Sequence, residues 1–168
     1  STSVLPGSAP QNVTWQVIGG ASGGSIDSSG RYTAPNVMPG GGRTVTIRAT
    51  SVVSSIYGEA FINLQPLPSS CLVTAATGGS TGPSQVTLGN SLQLVATITP
   101  PDAPQAVFWT IDWNGVGQGT GNPTVGTVNA SGLYLAPNTL PTPSQVFVRA
   151  RSQVASSVTD DYQIDLIA

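Results

Sequence analysis

Charged residues are scarce in this chain of 168 residues. Lysine and arginine together number five, all of them arginine, and there are seven aspartates and glutamates and no histidine. Charged residues make up 7% of the sequence, whereas a typical soluble domain has about 25%. So few positive charges cannot neutralise the phosphates of a nucleic acid or hold a polybasic segment on a membrane surface. The sequence therefore predicts no nucleic-acid binding, and without a long apolar run it predicts no membrane insertion.

The same scarcity limits catalysis. A nucleophilic serine or cysteine needs a neighbouring base, and both histidine and lysine are missing. Paired carboxylates remain at Asp160, Asp161 and Asp165, but adjacent residues of an extended strand point to opposite faces. We therefore predict that the protein is not an enzyme and uses no cofactor.

A single cysteine excludes an internal disulfide. Cys71 follows the polar segment Pro-Ser-Ser in the middle of the chain. We interpret it as a small buried residue at the start of a strand, with pairing to another chain as the alternative. By contrast, glycine, proline and apolar residues are plentiful, and three tryptophans, four tyrosines and three phenylalanines are enough to form a core.

An internal repeat organises the chain. Trp15 aligns with Trp109 at an offset of 94 residues, and the later segments align at slightly larger offsets because the second copy holds an insertion of eight residues. The aligned segments are 4–15 with 98–109, 23–36 with 125–138, 44–51 with 145–152, and 54–64 with 156–166.

The repeat predicts the domain boundaries. Residues 1–65 form an incomplete first domain, residues 66–70 a proline-containing linker, and residues 71–168 a complete second domain. Residues 71–94 have no counterpart in the first copy, which is therefore expected to lack its N-terminal strand or strands. Those strands belong either to a longer array in the same chain or to another subunit that supplies them by β-strand addition.

Apolar residues alternate with polar ones in every periodic segment. The first copy has two such sets and the second copy has three, and no segment has a helical period. The sets are Val13, Trp15 and Val17; Val45, Ile47 and Ala49; Leu92, Leu94, Ala96 and Ile98; Val107, Trp109 and Ile111; and Val146, Val148 and Ala150. The pattern predicts an all-β chain of two tandem antiparallel β-sandwiches.

A shared motif follows the tryptophan of each copy: Gly-x-[Ile/Val]-x-x-Ser-Gly-x-Tyr-x-Ala-Pro-Asn, then a strand containing Arg-Ala-x-Ser. This arrangement resembles the bacterial immunoglobulin-like domains, group 2 type, that occur in tandem in secreted and surface proteins. The resemblance implies immunoglobulin-like sandwiches outside the cell. It also implies a role as a spacer, stalk, adhesive segment or accessory module of a secreted enzyme.

The motif residues have structural interpretations. We expect a turn glycine with positive φ, a buried tyrosine, a strand-ending proline and a core tryptophan in each copy. These residues are Gly30, Tyr32, Pro35 and Trp15 in the first copy and Gly132, Tyr134, Pro137 and Trp109 in the second.

The insertion in the second copy contains the candidate surface-contact loop. Asp112, Trp113 and Asn114 lead into a glycine-rich segment, and an aromatic ring in such a loop can stack on a glycan or a protein partner. Alternatively, Trp113 folds back over the end of the sandwich. Asp112 and Asn114, or the acids at 160, 161 and 165, could also bind calcium, although the pattern lacks a closing bidentate acid.

These observations predict a non-enzymatic structural or adhesive module of an extracellular or cell-surface bacterial protein. Its partners are expected to be proteins or neighbouring copies of itself, with surface glycans as a further option. Two alternatives remain open. One is a subunit of an extracellular filament that assembles by β-strand complementation, and the other is a carbohydrate-contacting module of a secreted enzyme.

Overall fold

A computed structural model describes residues 10–40 and 42–168, with only the backbone of Ala21. The aligned segment 4–9 of the repeat lies outside the described residues. The chain divides into two compact units, Ser1–Gln65 and Pro66–Ala168, and each is described by itself. No helix in the described part of the chain has the length and apolar character needed to cross a membrane.

The first unit contains one three-stranded sheet and one short ribbon. The sheet has the order β1-β4-β5 and is antiparallel throughout, and the ribbon consists of β2 and β3. A single turn of 3-10 helix at Ala21–Gly23 follows the first strand. The strands are Val13–Ile18 (β1), Ser25–Ile26 (β2), Tyr32–Thr33 (β3), Thr44–Ser51 (β4) and Tyr57–Asn63 (β5).

The second unit is a sandwich of two five-stranded sheets. One sheet has the order β10-β9-β14-β15-β7 and the other has the order β11-β12-β13-β8-β6. The strands are Ser70–Ala75 (β6), Ser84–Thr87 (β7), Ser91–Thr99 (β8), Val107–Trp113 (β9), Val116–Gly117 (β10), Gly121–Asn122 (β11), Gly126–Val128 (β12), Leu133–Leu135 (β13), Gln145–Ser152 (β14) and Thr159–Ile167 (β15).

This strand order is that of an immunoglobulin-like sandwich, and the all-β tandem fold predicted from the sequence is confirmed. One pairing departs from the antiparallel expectation, because β7 runs parallel to β15. The chain passes from β6 in one sheet to β7 in the other, which brings β7 alongside the last strand in the same direction. Among residues 10–40 and 42–65, no strand takes the places of β6, β7 and β8.

The core of the second unit lies between its two sheets. The inward side chains of β9, β14 and β15 are buried, and they pack against side chains of β6, β8 and β13 from the opposite sheet. The fully buried large side chains are Val73, Leu94, Ile98, Ile111, Val125, Tyr134, Val146, Val148, Tyr162 and Ile164. Their alternation with exposed neighbours is the period-two pattern of a sheet with one buried face.

Candidate functional site

The turn before β13 is stabilised by one asparagine. Asn129 Oδ1 accepts hydrogen bonds from the backbone N–H groups of Ser131 and Leu133, at 2.9 and 3.0 Å, and from the Ser131 hydroxyl. In the first unit Asp27 accepts the equivalent bonds from Ser29 and Arg31. The hydrogen bond from the Ser29 hydroxyl and, to a lesser degree, the bond from the Arg31 backbone amide lower the pKa of Asp27, because both favour the charged carboxylate.

The motif tyrosines close the same structure. Tyr134 is fully buried, and its hydroxyl donates a hydrogen bond to the carbonyl of Val125 at 2.7 Å. Burial raises the pKa of Tyr134 well above its usual value, because the phenolate would lose its hydration. Tyr32 in the first unit donates to the carbonyl of Gly23. The Tyr134 hydroxyl is thus committed to the fold.

The remaining motif residues also have structural partners. Trp109 is buried on β9, and its ring lies directly over Gly132, as the Trp15 ring lies over Gly30. Pro137 is buried just beyond the end of β13, and its carbonyl accepts a hydrogen bond from Gly89. Pro35 occupies the corresponding position after β3 and is half-buried.

The candidate contact segment belongs to a tight hairpin. Asp112 and Trp113 are the last residues of β9, not members of a loop, and both pair with β10. Asn114 and Gly115 form the two-residue turn with φ of 52° and 74°, as type I′ hairpin turns require. Trp113 packs against the core, and its Nε1 donates a hydrogen bond to the carbonyl of Pro143 at 2.8 Å. The Asn-Gly dipeptide is a sequence signal for this hairpin.

The acidic residues near the C-terminus have different partners. Asp161 forms an ion pair with Arg149 at 2.6 Å on the outer face. Asp160 accepts a hydrogen bond from the backbone N–H of Val73 at 2.7 Å and thereby attaches β6 to β15. Asp165 accepts a bond from the Gln163 amide. Within residues 10–40 and 42–168, no group of three potential metal ligands comes together.

Equivalent apolar residues are less deeply buried in the first unit than in the second. Trp109, Ile111, Val128 and Tyr134 are buried in the second unit, whereas the matching residues of the first unit are half-buried. Those residues are Trp15, Val17, Ile26 and Tyr32, and all four pack against the small core of Val45, Ile47 and Leu64. In the second unit β6 and β8 complete the sheet that covers these positions.

In the second unit two side chains of β15 bind the neighbouring strands β6 and β7, and β5 of the first unit has different residues at both positions. Tyr162 is fully buried and shares a hydrogen bond with Ser84 of β7 at 2.6 Å, and Ala60 stands in its place. Asp160, which binds β6, is replaced by Gly58. Aligned sequences show these differences, but only the structure shows that the replaced residues attach β6 and β7.

Cys71 lies on β6 opposite Ile98, half-buried against the core. Burial, and to a lesser degree the nearby Asp160 carboxylate, raises the pKa of its thiol. Both effects disfavour the reactive thiolate, in keeping with a packing role.

Comparisons with known proteins add little to this description. No protein-family model matches the chain, and a search of curated proteins gives no significant match. Similar solved structures include Drosophila OTK extracellular domains 3–5, with 14% identity, a TM-score of 0.40, and coverage of 93% of this chain and 50% of that one.

Sidekick-1 immunoglobulin domains 1–5 match with 14% identity and a TM-score of 0.39 over 92% of this chain and 33% of that one. Protocadherin Gamma B2 cadherin domains 3–6 match with 17% identity and a TM-score of 0.39 over 93% and 40%. The chain thus spans a third to a half of the lengths of these three chains. Similarity at this level does not bear on function, and the chain's own strand pairing defines its fold.

Proposed function

We propose that the protein is a non-enzymatic structural or adhesive module of the bacterial immunoglobulin-like type, part of an extracellular or cell-surface protein. One observation carries this proposal: the motif shared by the two copies is used for internal packing. The Asx side chain holds a turn, the tyrosine hydroxyl holds a loop carbonyl, and the tryptophan packs over the turn glycine. A motif kept for stability indicates a scaffold, because chemistry would require some of its polar groups to be available.

The composition supports the same proposal. Solubility depends on serine, threonine, glycine and asparagine, and the chain has neither histidine nor lysine to act as a base. Adhesive contacts of such a surface would depend little on salt, because few charges steer a partner towards it.

A spacer must resist load along the chain, and one pairing of the second unit suits that task. The parallel strands β7 and β15 are paired from Ser84 with Ile164 to Thr87 with Ile167. Leu88 donates a hydrogen bond to the carbonyl of Ile167, so the alternate amide of Val86 also faces β15. Tension that pulls β15 towards the C-terminus and β7 towards the N-terminus loads these hydrogen bonds together in shear.

We expect Val86→Pro to lower the unfolding force of the second unit in single-molecule pulling experiments on the full chain. The substitution removes an amide from the β7–β15 ladder. Val86→Ala is the matched control, because it removes part of the same buried side chain and keeps the amide. Equal unfolding forces for the two variants would argue against this load-bearing role.

Strand complementation between chains is a second candidate, favoured by the half-buried core of the first unit. An added strand beside β3 could cover Trp15 and Tyr32 as β8 covers their equivalents. Electron microscopy of the full chain at high concentration tests this candidate, because complementation produces filaments. Only monomers, together with a first unit that is stable on its own, would exclude it. The carbohydrate alternative has less support, since Trp113 is anchored in a strand.

A further inference from the structure

The β4–β5 hairpin of the first unit exposes an unusual number of large apolar side chains. Phe61 is 71% exposed and Tyr57 is 56% exposed, and the second copy has Gln163 and Thr159 at the equivalent positions of β15. Val52 is likewise replaced there by Gln153. Exposed apolar residues concentrated on one element mark an interaction surface more often than single scattered ones do. The complete set on this hairpin is Val52, Val53, Ile56, Tyr57 and Phe61.

The outer edge of β5 has backbone groups available for pairing. The carbonyl of Ile56 accepts a hydrogen bond from Ser51, and the amide of Leu64 donates one to Arg43. Even-numbered residues of this strand therefore direct their backbone groups towards β4, and the odd-numbered residues direct theirs to the outer edge. In residues 10–40 and 42–168 no strand pairs with that edge, whereas β7 covers the equivalent edge of β15.

Little on β5 opposes the approach of another strand. Its one charged residue is Glu59, which forms an ion pair with Arg48 at 2.7 Å, and the Arg48 guanidinium also lies 4.2 Å from the centre of the Tyr57 ring. The inward residues Gly58 and Ala60 are small and uncharged. Natural sheets protect their edges with lysine, inward charges or proline, and this edge has none of these features.

We propose that β5 is a self-association edge: β5 strands from two copies of the chain pair antiparallel and join their three-stranded sheets into one six-stranded sheet. The proposal goes beyond the structural role argued above and does not depend on it. The occupant is a second copy because the edge is complementary to itself about a two-fold axis at Ala60. In that register Phe61 lies opposite Glu59 of the second copy, and the two Glu59 residues are diagonal neighbours whose charges are each neutralised by Arg48.

The same register also places compatible side chains opposite each other on both faces of the joined sheet. Inside, Ile62 lies opposite Gly58 of the second copy, and the two alanines meet at the axis in a pair that requires no hydrogen bond. Outside, Phe61 lies diagonal to both Phe61 and Tyr57 of the second copy, within reach of aromatic contact. The odd-numbered residues direct their backbone N–H and C=O groups to the free edge of β5. They therefore form the hydrogen-bonded pairs between the two copies.

Sedimentation of the full chain over a concentration series tests the proposal. A single strand pair buries less than a standard interface of about 1,600 Å², so we expect weak dimerisation, half complete on the order of 100 µM. Phe61→Gln introduces the residue that the second copy carries and should weaken the dimer by roughly tenfold, because the symmetric dimer loses its contact twice. Phe108→Gln removes an exposed aromatic residue from the second unit and should leave dimerisation unchanged.

A cysteine pair tests the register. In a Cys71→Ser background, Ala60→Cys should form an intermolecular disulfide under mild oxidation, because the two side chains meet at the axis. Gly58→Cys is the matched control and should cross-link much less, since it faces Ile62 of the second copy. The proposal is overturned if the chain remains monomeric at millimolar concentration, or if the two cysteine variants cross-link equally.

Hydrogen exchange separates this proposal from strand complementation. The amides of Glu59 and Phe61 should gain protection as the concentration of the chain rises, and Phe61→Gln should abolish that gain. Protection that does not change with concentration would mean that the edge is already covered within one chain, and the proposal would then be wrong. Filaments formed by complementation beside β3 should not depend on Phe61, whereas dimerisation that is not weakened in Phe61→Gln would contradict self-pairing through β5.

Discussion

At the scale of single residues, the close approach of tryptophan to glycine decides how each turn is built. Gly132 has a φ of +80°, a conformation that disfavours every residue with a Cβ atom. A Cβ atom there would lie 2.7 Å from the carbonyl oxygen of Leu94 and 2.8 Å from the Trp109 ring. Gly30 has the same conformation under Trp15. Backbone conformation and core packing therefore require glycine at this position for two separate reasons.

We expect Gly132→Ala to destabilise the second unit by about 2–4 kcal/mol, the sum of left-handed backbone strain and overpacking against Trp109. Gly115→Ala is the matched control. Its φ is +74°, but a Cβ atom there would meet nothing within 4 Å, so only the strain of about 1 kcal/mol applies. Urea unfolding followed through amide NMR signals of the second unit measures both values. Equal losses would show that the Trp109 contact contributes nothing.

At the scale of elements, adjacent acids on β15 serve different purposes. Asp160 binds the backbone of β6, and Asp161 pairs with Arg149 on the outer face, where both side chains are substantially exposed. A carboxylate that satisfies a strand amide is harder to replace than a surface ion pair, because its loss leaves a donor without a partner. The side-chain link between β15 and β6, which is otherwise held by its pairing with β8, thus depends on one residue that the first unit lacks.

Asp160→Ala should destabilise the second unit by about 1–3 kcal/mol, whereas Asp161→Ala should cost about 0–1 kcal/mol. Loosening of β6 also exposes Cys71, and removal of the Asp160 carboxylate lowers the pKa of its thiol. We therefore expect faster reaction of Cys71 with a thiol reagent at pH 8 in Asp160→Ala and an unchanged rate in Asp161→Ala. Identical rates in the two variants would contradict the role of Asp160 in holding β6.

Local patterns predicted several of the strands with one buried face but did not predict the pairings between distant segments. Alternation identified β4, β8, β9 and β14, because each has one buried face. It could not predict the parallel pairing of β7 with β15, which joins segments far apart in the sequence and depends on tertiary packing. For Trp113 the sequence left open a contact loop and a fold back over the end of the sandwich, and neither alternative included the Asn-Gly turn that pairs Trp113 with Val116.

At the scale of the whole molecule, one motif occurs in two different environments. The second unit buries its motif aromatic residues between two five-stranded sheets. The first unit, as far as residues 10–40 and 42–65 describe it, leaves Trp15 of the three-stranded sheet and Tyr32 of the two-stranded ribbon half-buried. Because the local interactions are repeated, any difference in stability between the units must come mainly from the area of apolar surface that each one buries.

The two units should therefore unfold in separate steps, the first at lower urea concentration. Incomplete burial of Trp15, Val17, Ile26 and Tyr32 should make the first unit at least ~3 kcal/mol less stable, since full burial of each such side chain contributes about 1.5–3 kcal/mol. Tryptophan fluorescence of the full chain should show two transitions, and Trp15→Phe should remove the signal of the first. Acrylamide should quench Trp15 more strongly than Trp109. A single transition in the unsubstituted chain, at the same urea concentration as in Trp15→Phe, would contradict this prediction, because the two units would then unfold together.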